Sequence, residues 1–323
     1  MGCPGNIARR GSLEIKRFEA IRENRDRSSD PCTQSVLSTV ELGNAPTICE
    51  LRQSPLFIHY RYSDKTLIPS SVSVIIPCFN HGEFLMDAVH SVEDCAKNLY
   101  EIVIVNDGST DPPTVQLLKH LQERGYNIIN QNNQGLAAAR NKGIAGATGN
   151  YILPLDADNK IRPEYIHEGI RILDRYPEVG VVYGNAQYFG DKSGPWNLPA
   201  FDRLRLIVKN YIDACAVFRR EIWVKAGGYD AHMPFQGFED WDLWLAAASQ
   251  GWEFFHLREV VFDYRYRNDS MIRSLSKNAN DQCLQYLFAK YYAFIHSEVK
   301  KCAEERKGLG GRMRRVVRRI ARL

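Results

Sequence analysis

Two aspartates one residue apart, Asp156 and Asp158, follow the short apolar run of residues 151–155. The run is typical of a buried strand, and both carboxylates would then lie in the loop at its carboxyl end. Carboxylates this close repel each other and need a cation or several hydrogen-bond donors to neutralise them. Mg²⁺ or Mn²⁺ suits oxygen ligands and completes its shell with water and phosphate, so the pair predicts a divalent metal and a phosphorylated ligand. An ordinary turn or helix cap is the alternative for Asp-x-Asp alone.

A second group of acidic residues, Glu239, Asp240 and Asp242, stands at the start of a predicted helix in which Trp241 and Trp244 face inward. Carboxylates in a first helical turn interact favourably with the helix macrodipole, so capping is one interpretation of this group. Three acidic residues exceed what capping needs. A functional carboxylate is the second interpretation, and the pattern by itself leaves both open.

Strands and helices alternate from Ser71 onward, which predicts an α/β fold with right-handed crossovers and a mainly parallel sheet flanked by helices. Ligands of such sheets bind outside the carboxyl ends of the strands. Apolar runs predict strands at residues 72–77, 101–106, 127–130, 151–155 and 179–183. The loops that follow these strands should bring four polar residues to one crevice, namely Asn80, Asp107, Asp156 and Asp158.

The alternation weakens after Gly184. A strand is predicted at residues 212–218, a helix at 220–226 and a long helix at 279–306. The stretch 185–238 has the least pattern, and the specificity of the protein is expected to depend on it.

The composition fits a soluble globular protein of 323 residues with 44% apolar side chains. The net charge of +4 depends on six arginines among residues 312–323, and the remainder is slightly acidic. This distribution argues against a nucleic-acid partner, whose binding surface should involve the folded domain. The eight cysteines include no Cys-x-x-Cys pair, and neither a signal peptide nor a bilayer-spanning apolar run is evident. A reduced, cytoplasmic setting is therefore expected.

The two ends of the chain differ from this regular part. Residues 1–70 are polar, and we expect a partly disordered extension without chemistry. Residues 276–323 are expected to form a helical extension whose last part, 312–323, has apolar side chains on one face and arginines on the others. Such a segment suits an anionic membrane surface and would attach the protein to the inner face of the membrane. A solvated tail is the alternative, because twelve residues make a marginal helix in water.

Taken together, these motifs resemble family 2 of the inverting glycosyltransferases, which have the GT-A fold. The resemblance covers about residues 71–270 and implies a GT-A domain over residues 71–275. Each motif alone is weak, but their order is specific. The motifs are Val74-Ile-Ile-Pro77-Cys-Phe-Asn80, Val105-Asn-Asp107-Gly-Ser-Thr-Asp111, Gly135-Leu-Ala-Ala-Ala-Arg140-Asn141, Leu155-Asp156-Ala-Asp158-Asn159 and Glu239-Asp240-Trp241-Asp242.

The resemblance implies a donor site for a nucleoside-diphosphate sugar, most often a UDP-sugar. Asp107 would accept a hydrogen bond from the base, and Asp156 would face the ribose. Asp156 and Asp158 would hold Mn²⁺ or Mg²⁺ against the diphosphate. Arg140 would lie near the nucleotide, with a structural ion pair to a neighbouring carboxylate as the alternative. The residues assigned to the donor are Pro77, Phe79, Asn80, Asp107, Gly135, Arg140, Asp156 and Asp158.

The resemblance also implies the reaction, a single displacement that inverts the anomeric carbon, as in hexosyl- or N-acetylhexosaminyltransferases of cell-envelope polysaccharide synthesis. Asp240 would be the catalytic base, and Glu239 and Trp241 would contact the acceptor, a glycan or a lipid-linked sugar. Many relatives carry a His where this chain has Arg265 and Arg267, which are expected to hold phosphate oxygens instead. A sugar-nucleotide nucleotidyltransferase and a non-catalytic nucleotide-binding scaffold are the competing hypotheses.

Overall fold

The structure, a computed structural model, describes residues 71–268 and 276–305. The predicted extension 1–70 and the cationic segment 312–323 lie outside the described residues, and the expectations for them stay predictions. The described residues belong to one compact unit. The predicted boundary between residues 275 and 276 falls inside this unit.

The first half of the unit has the alternating pattern that the sequence predicts. Four parallel strands lie in the order β3-β2-β1-β4. Residues of β1 alternate between two cores, so the sheet is covered on both faces, as parallel sheets are. The elements are β1 (Val72–Cys78), α1 (Gly82–Glu93), β2 (Tyr100–Asp107), α2 (Pro112–Glu123), β3 (Asn127–Gln131), α3 (Leu136–Gly146) and β4 (Tyr151–Pro154).

The second half extends the same sheet with mixed strand directions. The elements are β5 (Lys160–Ile161), α4 (Tyr165–Arg175), β6 (Val179–Gly190), β7 (Gly194–Trp196), α5 (Arg203–Val208), β8 (Val217–Arg219), α6 (Arg220–Ala226), α7 (Glu239–Ser249), β9 (Glu253–Tyr266), α8 (Lys277–Lys290) and α9 (Tyr292–Glu305). The short strand β8 lies between β4 and β6 and is antiparallel to both. The sheet continues through β9, parallel to β6, to β5 at its edge. The predicted α/β sheet with flanking helices is thus confirmed.

Strand β8 is shorter than the predicted strand 212–218, because side chains of α7 bind the backbone that precedes it. The indole N–H of Trp241 donates to the carbonyl oxygen of Leu206 at 2.7 Å, and that of Trp244 to Ile212 at 3.1 Å. Leu206 belongs to α5, whereas Ile212 lies in the predicted strand, and its carbonyl group, bound by Trp244, needs no strand partner. The stretch 209–214 is therefore held as a loop on α7 and is available to line a site.

The C-terminal helices pack against the sheet unit, and the predicted helix 279–306 is interrupted at Tyr291. Cys283, Leu284 and Leu287 of α8 are buried in the same core as the tryptophans of α7. The Lys290 ammonium lies 2.9 Å from an oxygen of Asp242, and the Tyr291 hydroxyl donates to the same carboxylate at 2.9 Å. Helix α8 therefore packs in the same core as α7, and Lys290 and Tyr291 hold the end of α8 against Asp242 of α7.

Candidate active site

The loops that follow β1, β2 and β4 meet at the carboxyl edge of the sheet and surround a cavity of about 960 Å³. Helices α7 and α8 and the loop before β8 complete its lining. The cavity therefore unites residues that are far apart in the sequence, as the topology requires. Ten of the eleven predicted site residues line it: Pro77, Phe79, Asp107, Gly135, Arg140, Asp156, Asp158, Glu239, Asp240 and Trp241.

Asn80 is the predicted residue that does not line the cavity. Its backbone has a positive φ of 56°, a conformation that Asn adopts more readily than most residues. The side-chain oxygen accepts the backbone N–H groups of Thr110 and Asp111 at 2.7 and 3.1 Å. Asn80 thus fastens the loop after β1 to the loop after β2, and its contact with a nucleotide stays a prediction. Its neighbour Phe79 is 45% exposed and presents an aromatic ring to the cavity.

Asp107 is buried, lines the cavity, and holds the loop after β3 through its carboxylate. Its carboxylate accepts hydrogen bonds from Gln131 Nε2 and from the backbone N–H groups of Gln134 and Gly135, at 2.7 to 2.9 Å. Three donors leave part of the carboxylate's accepting capacity for a ligand. The predicted bond to a base is compatible with this arrangement and stays a prediction.

Gly135 must be glycine for two reasons. Its φ of +88° belongs to the region that side chains avoid, and a Cβ atom there would lie 2.1 Å from Nε2 of Gln236. The same Gln236 accepts the backbone N–H of Leu136 through Oε1 at 2.9 Å. The start of α3 is therefore bound closely to the loop that precedes α7, and both line the cavity.

Arg140 joins the two acidic groups that the sequence singled out. Its guanidinium is 1% exposed and donates to Asp156 at 2.6 Å and to Glu239 at 2.8 Å. Burial opposes the charge, but the two carboxylates outweigh that effect and raise the pKa of Arg140. The ion pair kept as the alternative for Arg140 is present, and it ties the loop after β4 to the start of α7.

Asp158 also lines the cavity, but its side chain differs from that of Asp156. Within the described residues it forms no ion pair with a cationic side chain. Burial and the charge of Asp156 raise its pKa, while His81 and Arg265 lower it. The Nε of Arg265 donates to the backbone oxygen of Asp158 at 3.1 Å. Arg265 and Arg267 both line the cavity, so positive charge stands beside the Asp158 loop as the sequence predicts.

The donor atoms around Asp156 and Asp158 suit a hard divalent cation. Both residues lie within one turn of the chain. The backbone N–H of Asn159 closes this turn by donating to the backbone oxygen of Asp156 at 2.9 Å. Among the described residues no group of three His, Cys, Asp or Glu side chains is arranged to hold a metal. Mg²⁺ and Mn²⁺ sites with one or two carboxylates take their other ligands from water and phosphate, so the residues present fit such an ion.

Asp240 lines the same cavity from the first turn of α7. Asn210 donates to its Oδ2 at 2.9 Å, and the backbone N–H of Trp241 donates to Oδ1 at 2.7 Å. Burial, followed by the charges of Glu239 and Asp213, raises the pKa of Asp240. A carboxylate with a raised pKa at a cavity wall is a better proton acceptor than an ordinary surface Asp.

Glu239 and Trp241, the predicted acceptor contacts, are both buried and have partners within the protein. Glu239 accepts from Arg140 through one oxygen and from the backbone N–H of Gly237 at 2.7 Å through the other. Trp241 is 4% exposed, and its indole N–H donates to the backbone oxygen of Leu206. The structure gives both residues a role in positioning the start of α7, and their contact with an acceptor stays a prediction.

Sequence reasoning missed Asp213, which lines the same cavity from the loop before β8. Its Oδ1 accepts the backbone N–H of Cys215 at 2.9 Å. Burial and the charge of Asp156 raise the pKa of Asp213 to about 7. Its signal in the sequence is a lone acid in the apolar run 211–218, where an unneeded charge would be costly. Sequence reasoning also missed lining residues that belong to none of the motifs, among them His81, Lys209, Asn210, Asn280 and Leu284.

Two of the curated relatives of this chain are named as bacterial glycosyltransferases. It is 32% identical over 130 residues to the glycosyltransferase GlyA of Streptococcus pneumoniae serotype 4, covering 40% of this chain and 18% of that protein. It is 28% identical over 242 residues to the putative teichuronic acid biosynthesis glycosyltransferase TuaG of Bacillus subtilis, covering 71% of this chain and 88% of the relative. The chain thus spans less than a fifth of GlyA but most of TuaG.

Solved structures and a family model agree with these relatives. The crystal structure of residues 1–349 of S. aureus TarS in complex with UDP-GlcNAc superposes with a TM-score of 0.54 at 18% identity, over 70% of this chain and 74% of that fragment. At that identity the likeness concerns the fold. Residues 73–225, which carry the loops after β1, β2 and β4, match the model of glycosyl transferase family 2. The match covers just under half of the 323 residues and identifies this part of the chain as a family 2 glycosyltransferase domain.

Proposed function

We propose that this protein is a metal-dependent inverting glycosyltransferase that moves a sugar from a UDP-sugar to a hydroxyl group of a glycan or lipid-linked acceptor. The observation that carries the proposal is the cavity itself. It brings the Asp156 and Asp158 pair and Asp240 together, and Arg140 links the two groups through its ion pairs to Asp156 and Glu239. Inverting transfer needs a leaving-group site and a base on opposite faces of one sugar.

The donor class is supported by family membership and by what the neighbours bind. The TarS structures contain UDP in one case and UDP-GlcNAc in another. In this chain Phe79 offers an exposed ring for stacking on a base, and Asp107 retains accepting capacity beside it. Arg265 and Arg267 stand where phosphate oxygens need positive charge.

Asp156 and Asp158 would hold Mg²⁺ or Mn²⁺. When bound, such an ion neutralises the charge that grows on the departing nucleoside diphosphate. The chain's own contribution is to keep Asp158 at the cavity with no ion pair to another described side chain, while Arg140 restrains Asp156. Arg265 binds the backbone of this loop and supports its conformation.

Asp240 takes the proton of the acceptor hydroxyl as the acceptor oxygen forms its bond to the anomeric carbon and the bond to the diphosphate breaks. The proton goes to the carboxylate, and the electron pair of the broken bond leaves with the diphosphate. Asn210 orients the carboxylate through Oδ2, and the N–H of Trp241 through Oδ1. One displacement of this kind inverts the configuration and needs no nucleophile from the enzyme.

Calorimetry with UDP tests the donor half of the proposal. UDP should bind tightly with Mn²⁺ and much more weakly in excess chelator, and Asp158→Asn should weaken binding with Mn²⁺ at least 10-fold. Asp94→Asn, the same chemical change at the exposed residue that follows α1, is the matched control and should bind as the wild type. Unchanged affinity in chelator would refute the metal-dependent donor site.

Turnover assays test the reaction and separate it from its alternatives. A glycosyltransferase releases UDP from a UDP-sugar, whereas a sugar-nucleotide nucleotidyltransferase would release pyrophosphate from UTP, and a scaffold would release neither. Asp240→Asn should lower UDP release about 100-fold or more with little change in UDP affinity, because only the proton acceptor is lost. Near-normal turnover would show that Asp240 is not the base.

Attachment to a membrane surface is proposed for residues 312–323, which lie outside the described residues. The support is their sequence, six arginines with an apolar face, since each Arg near an anionic surface gains roughly 1 kcal/mol. Within the described part of the chain, no helix is both long and apolar enough to cross a bilayer. Deleting residues 312–323 should abolish sedimentation with vesicles of anionic lipid. Unchanged sedimentation would leave the segment as a solvated tail.

A further inference from the structure

Asp213 is a carboxylate of the cavity that the proposed reaction has not used. It stands in the loop before β8, between Asn210, which holds the base, and Cys215. The side chain is partly exposed and lines the cavity. A charged side chain in an otherwise apolar stretch costs free energy unless a ligand or partner compensates it, so its presence calls for a binding partner.

The carboxylate of Asp213 is held in place and has one oxygen to offer. Its Oδ1 accepts the backbone N–H of Cys215, and the carbonyl group of the preceding Ile212 is fixed by the indole of Trp244. Within the described ranges, Oδ2 of Asp213 accepts no hydrogen bond, and it is not sealed from the cavity. A fixed carboxylate with one open oxygen is a preorganised acceptor for a hydroxyl group.

The position of Asp213 selects the part of the substrate that it would meet. It lines the same cavity as Asp156, Asp158 and Asp240, and it lies near enough for its charge to interact with all three. In the proposed reaction the diphosphate lies at Asp156 and Asp158 and the attacking oxygen at Asp240, so the ring of the transferred sugar occupies the space between them. A carboxylate that faces this space faces the hydroxyl groups of that ring.

We propose that Oδ2 of Asp213 accepts a hydrogen bond from a hydroxyl group of the transferred sugar and so selects the donor sugar. The inference rests on the proposed function, because it presupposes a bound nucleotide sugar. Removing the acceptor of a charged hydrogen bond in a closed site is expected to reduce affinity roughly 10- to 100-fold for the ligand that makes the bond. UDP, which lacks the sugar, cannot make it.

The experiment measures, by calorimetry with Mn²⁺, how much more tightly the protein binds UDP-glucose, UDP-galactose and UDP-GlcNAc than UDP itself. This ratio removes the general electrostatic effect of deleting one negative charge beside a diphosphate. For the preferred donor, Asp213→Asn should reduce the ratio about 10-fold or more. Asp94→Asn is the control, and thermal unfolding should show that both variants remain folded.

Deoxy donors identify the contact directly. With the wild type, one of the 3-, 4- and 6-deoxy analogues of the preferred UDP-sugar should show the same reduced ratio, and Asp213→Asn should not reduce it further. An equal loss for UDP and UDP-sugar would overturn the inference and place Asp213 at the metal or nucleotide. An unchanged ratio with a raised KM for acceptor would overturn it and place Asp213 at the acceptor.

Failure of the proposed function gives a different result. If the wild type binds neither UDP nor any UDP-sugar in the presence of Mn²⁺, the donor site is wrong and the role of Asp213 falls with it. If UDP binds but no sugar nucleotide binds more tightly in any variant, the donor site stands and the inference about Asp213 is refuted.

Discussion

Replacing Arg140 by methionine tests the ion-pair network that joins the two halves of the site. Arg140→Met keeps much of the side-chain volume but removes the cation between Asp156 and Glu239. The carboxylate of Glu239 is 4% exposed and would remain buried with only the N–H of Gly237 as partner, whereas that of Asp156 is 34% exposed and can gain water. Breaking a buried ion pair costs about 3–5 kcal/mol. The partial exposure of Asp156 places the expected loss near the lower limit, about 3 kcal/mol.

At about 2–4 °C per kcal/mol for a domain of this size, that loss lowers the Tm by roughly 6–12 °C. Urea unfolding of the wild type and variant measures the free energy directly. The control is Arg162→Met, which removes an ion pair to Asp263 whose partners are 47% and 19% exposed, and it should cost less than about 1 kcal/mol.

The double variant Arg140→Met/Glu239→Gln shows whether the unpaired carboxylate of Glu239 causes the loss of stability. Neutralising Glu239 removes the carboxylate that Arg140→Met leaves unpaired, so the double variant should be no less stable than Arg140→Met alone. Two results would refute the reasoning. One is a loss for Arg140→Met no larger than that for Arg162→Met, and the other is strictly additive losses in the double variant.

Other predictions concern Asp240, Gly135 and Lys290. Because burial and neighbouring carboxylates raise the pKa of Asp240 and the base must be ionised, kcat/KM should rise as the pH rises through that raised value; initial rates across a pH series measure this. Gly135→Ala should lower the Tm, because a side chain is strained at a φ of +88°, and should also weaken UDP binding, because the added Cβ displaces Gln236; thermal unfolding and calorimetry measure the two effects. Lys290→Met should lower the free energy of unfolding by roughly 1–3 kcal/mol, because two carboxylates lose their shared cation; urea unfolding checks it.

The sequence predicted the first half of the fold closely because local patterns determine it. The predicted strand 72–77 is β1, and the strand before Asp107 is β2, in each case within about one residue. Continuous apolar runs bounded by polar loops indicate buried strands without knowledge of their neighbours. Since parallel strands end at one edge, the motif residues after them could also be placed in one crevice.

The second half depends on contacts between distant residues, which a single sequence does not display. The length of β8 is limited by indole groups of α7, and the break after Lys290 accompanies a hydroxyl bond from Tyr291 to Asp242. The roles of individual residues depend on such contacts as well. Asn80 belongs to a recognisable motif, yet its amide holds a neighbouring loop. Asp213 belongs to none of the quoted motifs and still lines the cavity.

The charges of the cavity explain why its acidic residues can coexist. Six carboxylates of the described residues line it, and one buried guanidinium, that of Arg140, is paired with two of them. The lining carboxylates are Asp107, Asp156, Asp158, Asp213, Glu239 and Asp240. Burial and mutual repulsion raise the pKa values of Asp158, Asp213 and Asp240, and none of these three has a cation in direct contact within the described part of the chain.

A raised pKa means that the ligand-free cavity favours uptake of protons by these carboxylates. A divalent cation at Asp156 and Asp158 would supply the missing positive charge, and its binding would then release protons and become tighter as the pH rises. The same cation would lower the pKa of Asp240 through the intervening space and prepare it to act as a base. In this way the arrangement of charges would link donor binding to activation of the base, with Arg140 holding the two sides at a fixed separation.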